Sequence, residues 1–470
     1  YNLIMRLNFI APYDILAIGG VIMKLKSVTV GGFKNLKKTR LSLDSITAIV
    51  SPNNYGKSNL LEAIDFGVDF LSSNSKERKS MMRWVRGIPI NKSLENDEYF
   101  FEIEFEDDKL GEYRFVKYGY KFTWFRDDGL GQKITDEWIE TRPTESVRYT
   151  AFLKRPEGKY RKEKATNSFR KIVLDDGQLS IDVLSSIDDI AIHPVISAIK
   201  NISYHTCSSL DLGDRFQATP IEYIDQNDDE AISFDDKDVP RALHQLTQYD
   251  PEKYELFLEA VLSLFPEFLD ISVQSYEIKK EISKINMFVA ETGEGSLSAV
   301  PTDSLNSEEK IPFRIKDEMY RLLIDSKYLN QPINMAMMST GTKRVFWLLA
   351  NVFIASAKGM SFIGVEELET SIHPKLLKNL LELLDEALID TSLIISSHSP
   401  FLVQYIKPEK IYVGVPTADG TAQFRKVQTN RVKNLINAAR SMGMSVGEYL
   451  FELMSGDPDS AEMLSFYLEG

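Results

Sequence analysis

The sequence predicts an α/β fold: a mixed sheet with flanking helices, an antiparallel β subdomain, and a globular, mostly helical insert. Three observations carry this. Ile46–Val50 (ITAIV) is a short apolar, β-branched run that breaks into Ser51-Pro-Asn-Asn-Tyr-Gly56-Lys57-Ser58, and Leu60, Leu61, Ala63 and Ile64 then recur at helical spacing. Lys24–Leu43 and Tyr99–Trp124 alternate polar and apolar residues on either side of a turn. Further on, two apolar runs, Met360–Val365 and Ser392–Ser397, each stop abruptly on polar residues.

At 470 residues, with 43% hydrophobic and 26% charged residues, the chain is long enough for two or three folded domains. The single cysteine, Cys207, excludes an intramolecular disulfide and a thiolate metal centre and fits a reducing cytoplasm; five scattered histidines argue against zinc. A net charge of −14 argues against broad adhesion to nucleic acid, although a local basic strip survives such an average. No apolar run approaches the roughly 18 residues of a membrane span, so no membrane partner is expected. Residues 1–22 are hydrophobic, but Pro12 and Asp14 interrupt them and no small-residue cleavage site follows. They read as an extension that need not be native, with Met23 as the start.

The first part, residues 23–175, opens with a hairpin: Lys24–Val30, a turn over Gly31–Leu36, and Thr39–Leu43, leading into Ile46–Val50. In a phosphate-binding loop, backbone N–H groups and a helix N-terminus hold phosphate oxygens, a lysine reaches the β and γ phosphates, and the next hydroxyl binds Mg²⁺. Gly56, Lys57 and Ser58 fill those roles ahead of a helix over Asn59–Ser72. Ser51 stands where G-x-x-x-x-G-K-[ST] has its first glycine, so the turn there must suit a side chain. An ordinary strand–turn–helix also contains such a tripeptide, and partner motifs must decide. The basic run Lys76, Arg78, Lys79, Arg83 and Arg86 reads as a solvated connector or a nucleic-acid contact. YFFEIEFED and YRFVKYGYKFTWF flank Asp107-Asp108-Lys109 as a hairpin with aromatic cross-strand pairs. Lys154–Lys171 is highly charged with two aromatics between, a pattern of a mobile loop or of a nucleic-acid strip.

The insert, residues 176–310, reads as helices over 184–204 and 239–265, the second broken at Pro251 and stopped at Pro266, with an acidic loop over 225–238. Strands at 271–278 and 285–290 precede a Gly- and Ser-rich linker over 292–310. No heptad is sustained, so no long coiled coil is expected.

Residues 311–415 hold the partner motifs. Ser339-Thr340-Gly341 opens an apolar helix, Val345–Ala357, and its free N–H groups make an anion site, although Ser-Thr is also a routine N-cap. Met360–Val365 delivers Glu366 and Glu367, followed by Glu369 and His373. Two carboxylates at the end of a buried strand are costly to leave unpaired, so Glu366 is assigned to Mg²⁺ through water and Glu367 to the base that orients attacking water. Ser392–Ser397 delivers His398, which can donate to a γ-phosphate or sit as a satisfied core histidine. The order of these features, all at the mouth of one inferred parallel sheet, favours the first reading. Residues 416–470 form a tail whose periodicity over Val432–Leu453 predicts a helical pair.

GFKN (Gly32–Asn35), NNYGKSN (Asn53–Asn59), STGTKR (Ser339–Arg344), EELETSIHP (Glu366–Pro374) and SSHSP (Ser396–Pro400) together resemble the ABC-type ATPase heads of the SMC, RecF and OLD group. The resemblance covers the ends of the chain and hardly the middle. It implies ATP and Mg²⁺ as cofactors, and nucleotide contacts from Asn35, Asn53, Asn54, Tyr55, Gly56, Lys57, Ser58 and Asn59. Glu367 and His398 would be catalytic, and Ser58 and Glu366 would face the metal. It further implies a homo-oligomer in which two heads sandwich ATP head to tail, with Ser339, Gly341 and Lys343 completing the site of the other subunit. Three departures, Ser51, Thr340 in the signature and no glutamine placed between Leu71 and Tyr99 as a Q-loop, fit slow hydrolysis or ATP used as an assembly switch. Asp457-Pro458-Asp459 has the letters of a Toprim nuclease site, but only about 70 residues follow His398, short of the roughly 100 of a small domain; no nuclease is expected in this chain. In size and motif layout the chain also resembles the ATPase subunits of bacterial anti-phage systems: first the AriA type of PARIS, which works with a Toprim nuclease, then the PtuA type of Septu, which works with an HNH nuclease. That resemblance implies a sensor and scaffold that holds a separate nuclease effector, in toxin–antitoxin fashion, until a phage protein or DNA arrives. The alternative is a RecF-like repair clamp that binds duplex DNA when ATP closes it.

Overall fold

The computed structural model describes residues 23–83, 87–126, 128–162, 169–187, 190–207, 215–216, 221–223, 238–277, 287–291, 297–301, 313–315, 318–388, 391–415, 417–455 and 458–469. The N-terminal extension, Arg86, Asp457, and most of the acidic loop and the linker lie outside them. The chain forms two compact units, one of Tyr1–Ser208 with Lys358–Gly470 and the other of Ser209–Ala357.

The first unit begins with β1 (Lys24–Gly31), β2 (Thr39–Ser42), β3 (Ile46–Val50), α1 (Lys57–Ser72) and α2 (Ser75–Met81). β4 (Tyr99–Glu106), β5 (Phe115–Thr123), β6 (Lys133–Arg142), β7 (Thr150–Lys154), β8 (Lys159–Tyr160) and β9 (Arg170–Lys171) follow, then α3 (Ser180–Leu184), α4 (His193–Lys200) and β10 (Tyr204–Cys207). Eight of these strands make an antiparallel sheet in the order β2-β1-β4-β5-β6-β7-β8-β9. The period-2 alternation of β4 and β5 buries an aromatic face against α1. Phe70 stacks on Tyr120 and Phe122 with ring centroids 5.1 and 4.8 Å apart. The buried hydroxyls of Tyr99 and Tyr120 each donate to an α1 carbonyl, of Ala63 and Gly67, at 2.7 Å. At Gly67 a Cβ would lie 2.1 Å from the Phe101 ring, so only glycine permits this approach. These contacts fix the helix that carries Lys57.

Several elements differ from the sequence reading. Of the basic run, Lys76, Lys79 and Arg83 are exposed as a solvated stretch would be, but the first three residues lie on α2 and Arg78 is fully buried, donating Nε to the Phe70 carbonyl at 2.7 Å and Nη2 to that of Leu71 at 3.0 Å, with Asp182 as its ion-pair partner. A guanidinium thus satisfies carbonyls in the last turns of α1. The described part of Lys154–Lys171 is largely turn, but Lys159–Tyr160 and Arg170–Lys171 pair as the edge of the sheet. The expected helix over 184–204 ends at Leu184, resumes at His193 with Pro194 in its first turn, and gives way to β10, a four-residue strand too short for periodicity to separate from a helix end.

The second unit comprises β11 (Ile221–Tyr223), α5 (Val239–Tyr249), α6 (Pro251–Leu264), β12 (Phe268–Glu277), β13 (Met287–Glu291), β14 (Leu297–Pro301), β15 (Phe313–Ile315), β16 (Glu318–Ser326), β17 (Ile333–Asn334) and α7 (Thr340–Ala357). Pro251 divides α5 from α6, where the Asp250 side chain caps by accepting from the Lys253 N–H. Phe346 of α7 packs on Phe257, Phe265 and Phe268 with centroids 6.0–6.2 Å apart. β14 falls inside the stretch expected to be linker and pairs with β13 as a hairpin. The unit ends at Ala357 and not at the expected 310, because α7 buries its apolar faces against α5 and α6.

The first unit resumes with β18 (Phe362–Glu366), α8 (Pro374–Ala387), β19 (Ser392–Ser397), α9 (Pro400–Val403), β20 (Ile411–Val415) and β21 (Gln423–Lys426). The helical pair expected over Val432–Leu453 is α10 (Val432–Ser441) and α11 (Val446–Ser455), and a further helix, α12 (Pro458–Tyr467), follows it. The second sheet runs β10-β18-β19-β3-β20-β21, parallel except for β21. Its near-continuous apolar strands are those of a sheet covered on both faces. The register pairs Glu366 with Ser396 and Ser397 with Val50, so three strands end side by side.

Candidate functional site

At the end of β3 the chain turns through Ser51–Gly56 into α1. Gly56 has φ 106°, and a Cβ there would meet Ala422 Cβ at 2.8 Å and Asn35 Oδ1 at 2.9 Å, so conformation and space both demand glycine. Asn54, at φ 60°, is a residue type that tolerates the left-handed region. Ser51 lies outside that region, which removes the conformational need for the missing glycine. Space is recovered across the sheet: a Cβ on Gly414 of β20 would lie 2.6 Å from Ser51 Cβ and 2.8 Å from Tyr55 Cδ1. Asn53, Asn54 and the Ser58 hydroxyl residue are exposed on the loop and first turn.

Lys57 is buried, and its ammonium donates to the carbonyls of Ser51 at 2.9 Å and Pro52 at 3.1 Å. Burial lowers its pKa below the ordinary lysine value, and Glu367, Glu369 and Glu366 oppose that shift. Glu366 at the end of β18 and the two glutamates on the loop after it therefore lie within electrostatic reach of the lysine that opens α1. Glu367 has φ 47°, a strained conformation for a non-glycine residue. Its N–H donates to the Ser396 carbonyl at 2.9 Å, and its Oε1 stands 3.4 Å from His398 Nδ1. Ser397 Oγ donates to Glu369 Oε1 at 2.6 Å. The structure thus brings Lys57, Glu366, Glu367 and His398 together, while His373 only caps α8.

The hairpin turn between β1 and β2 supplies Asn35, whose Oδ1 accepts from Asn59 Nδ2 at 2.8 Å and whose Nδ2 donates to the Gly420 carbonyl at 3.4 Å. Sequence reasoning missed that Thr417–Thr421, between β20 and β21, flanks the loop. There Thr421 holds Asp419 well below the usual carboxylate range, with Lys37 at 3.2 Å. Burial pushes the Tyr55 hydroxyl up to about 12. Gly414 was also missed; the only signal for it was the departure at Ser51.

Ser339, Gly341 and Lys343 lie in the second unit, at the start of α7. Ser339 is the N-cap: its Oγ accepts from the Thr342 N–H at 3.2 Å and its carbonyl from the Lys343 N–H at 3.0 Å. Among the described residues, no three His, Cys, Asp or Glu side chains converge to hold a metal ion unaided, and no helix is long and apolar enough to cross a membrane.

A family model described as an AAA ATPase domain matches residues 23–403. No curated protein matches. Similar solved structures include an SMC head bound to the C-winged helix domain of ScpA, 14% identical over 87% of this chain and 99% of that one with a TM-score of 0.46. Others are the SMC head domain from Thermotoga maritima, at 12% identity over 86% and 100% with a TM-score of 0.41, and the Pyrococcus furiosus Smc head domain with an extended coiled coil bound to the C-terminal domain of ScpA, at 13% over 89% and 100% with a TM-score of 0.44.

Proposed function

Because the chain belongs to the AAA ATPase domain family, we propose that this site binds ATP with Mg²⁺ and hydrolyses it slowly, and that a homo-oligomer so assembled in the cytoplasm acts as a sensor and scaffold for a separate nuclease effector in anti-phage defence. The observation that carries the catalytic part is the meeting of Lys57, Glu367 and His398 at adjacent ends of parallel strands. Lys57 exchanges its two loop carbonyls for β- and γ-phosphate oxygens, with the loop N–H groups and the α1 N-terminus as further donors. Glu367 accepts the proton of the attacking water, and His398, 3.4 Å from it, donates toward the γ-phosphate. Asn53, Asn54, Tyr55, Asn59 and Asn35 line the nucleotide.

Ser58 and Glu366 would hold Mg²⁺. The desolvated lysine beside three carboxylates suits a site completed by cation and phosphate. When bound, it supplies charge for the β and γ oxygens. Ser339, Gly341 and Lys343 would complete the site of a second copy, so hydrolysis requires two heads.

Lys57→Ala is expected to abolish nucleotide affinity, and Glu367→Gln to keep ATP bound without turnover; intact affinity in the first or normal hydrolysis in the second refutes the assignment. Mass measurement with and without ATP tests pairing, and co-purification with a Toprim or HNH nuclease tests the effector role. A second reading, a RecF-like clamp on duplex DNA, draws on the sheet edge, where Lys159, Arg170 and Lys171 stand beside Arg161 stacked on Phe169 at 4.6 Å. DNA affinity that falls steeply with salt would favour it.

A further inference from the structure

Glu369 is the third carboxylate at this site and has no role in the hydrolysis described above. Its Oε1 accepts from Ser397 Oγ at 2.6 Å, and that same Oγ accepts the N–H of Ser399 at 2.9 Å. Ser397 is fully buried at the end of β19. The two residues that flank His398 are therefore tied to each other, and through one hydroxyl to a carboxylate on the loop that follows β18. That loop also presents Glu367 to His398 at 3.4 Å, so the two loops are joined at two points, one of which holds the peptide on both sides of the imidazole.

We propose that Glu369 is a positioning residue that sets His398 through Ser397. The proposal rests on the ATPase reading above and adds to it a residue that never touches nucleotide. A hydroxyl donating to a carboxylate is a short, charge-assisted bond, and in this buried position water competes poorly for it. Without the bond the Ser397 hydroxyl is free to rotate, the Ser399 N–H loses a fixed acceptor, and the imidazole shifts relative to Glu367. Misplacement of a catalytic group by about 1 Å is worth up to about a hundredfold in rate.

The test uses the full chain with Glu369→Ala, Glu369→Gln, Ser397→Ala and the Glu369→Ala/Ser397→Ala double variant, comparing kcat, KM and the Kd of a fluorescent ATP analogue. Glu369→Ala and Ser397→Ala should each lower kcat by about 10- to 100-fold with KM and Kd within about twofold. The double variant should be no slower than the slower single variant, because both remove one bond. Glu369→Gln keeps an oxygen that accepts from Ser397 and should lose only about threefold. The proposal is overturned if Glu369→Gln is as slow as Glu369→Ala while Ser397→Ala is active, which would put the carboxylate directly on water or metal, or if the single effects multiply. Should turnover be too slow to measure, the NMR signal of His398, one of five histidines, decides: it must move in Glu369→Ala and Ser397→Ala and stay in Glu369→Gln, and an unmoved signal in the first two overturns the proposal. Absence of nucleotide binding by the wild-type chain would refute the ATPase reading, while the histidine signal would still decide the contact itself.

Discussion

The loop after β3 lacks its first glycine, and the geometry says where the missing space went. Ser51 is fully buried, and β20 passes it at Gly414, where an added Cβ would sit 2.6 Å from Ser51 Cβ and 2.8 Å from Tyr55 Cδ1. Gly414→Ala therefore overpacks the loop from beneath, at a cost of about 2 kcal/mol. If that cost falls on the bound geometry of the loop, ATP affinity drops about thirtyfold. Ser51→Gly alone restores the usual motif but loosens the backbone, which costs roughly 0.5–1 kcal/mol, or two- to fivefold in affinity. The double variant distinguishes packing from coincidence. Independent effects would sum to about 3 kcal/mol and weaken binding more than a hundredfold. Removing the Ser51 methylene relieves one of the two clashes and leaves Tyr55, so the double variant should bind about threefold better than Gly414→Ala alone. Fluorescent-nucleotide titration of the four proteins measures this. A double variant weaker than Gly414→Ala refutes the compensation.

Three further expectations follow from the same region. Asp65 on α1 is held at about 6 by burial, with Asp69 and Glu62 adding to the rise from 3.8; its ionised form costs about 3 kcal/mol above pH 6, so Asp65→Asn should resist urea better than wild type at pH 7.5, with the advantage fading as pH falls from 6 toward 4. Lys57, with its pKa lowered chiefly by burial, binds its proton less readily folded than unfolded, so stability rises with pH up to the unfolded value near 10.5. Lys57→Met should therefore gain thermal stability over wild type at pH 7, and the gain should shrink toward pH 10; a constant difference across that range contradicts the desolvation argument. At Gly447 of α11 a Cβ would lie 2.1 Å from the Pro400 carbonyl, two residues beyond His398; Gly447→Ala should lower kcat by at least about tenfold while leaving ATP affinity within about twofold, as steady-state kinetics will register.

The parts of the fold that were legible are those where one local pattern decides. ITAIV, MSFIGV and SLIISS are short apolar runs ended by polar residues, and each became a strand of the central parallel sheet because both sheet faces are covered. The first two hairpins of the eight-stranded sheet, β1-β2 and β4-β5, were legible from alternation, though β6 to β9 went unread. β10 was mistaken for the end of a helix: YHTC is four residues long, and its strand character comes from pairing with β18 more than 150 residues away. Arg78 was misread for a similar reason. Five basic residues in a stretch look like a solvated face, and only the tertiary fold reveals that α1 ends where two carbonyls need donors and Asp182 needs a partner.

The candidate site divides along the same line. Residues proposed to serve the nucleotide, the metal or the attacking water must be of set types at set spacing, so Gly56, Lys57, Ser58, Glu366, Glu367 and His398 could be picked from the chain. Residues that support them are constrained only by their neighbours: Gly414 matters because Ser51 is not glycine, Ser397 because Glu369 needs a donor, and Gly447 because α11 leaves no room at Pro400. The four carboxyl-end groups come from three strands spread over some 340 residues, from Lys57 to His398, and they converge because register sets adjacent strand ends level. A side chain at the first loop position fits here because β20 carries a glycine beneath it. The missing glycine of the loop is thus better regarded as relocated to β20 than as lost, and a chain that carried both Ser51 and a side chain at 414 would be the one expected to bind nucleotide poorly.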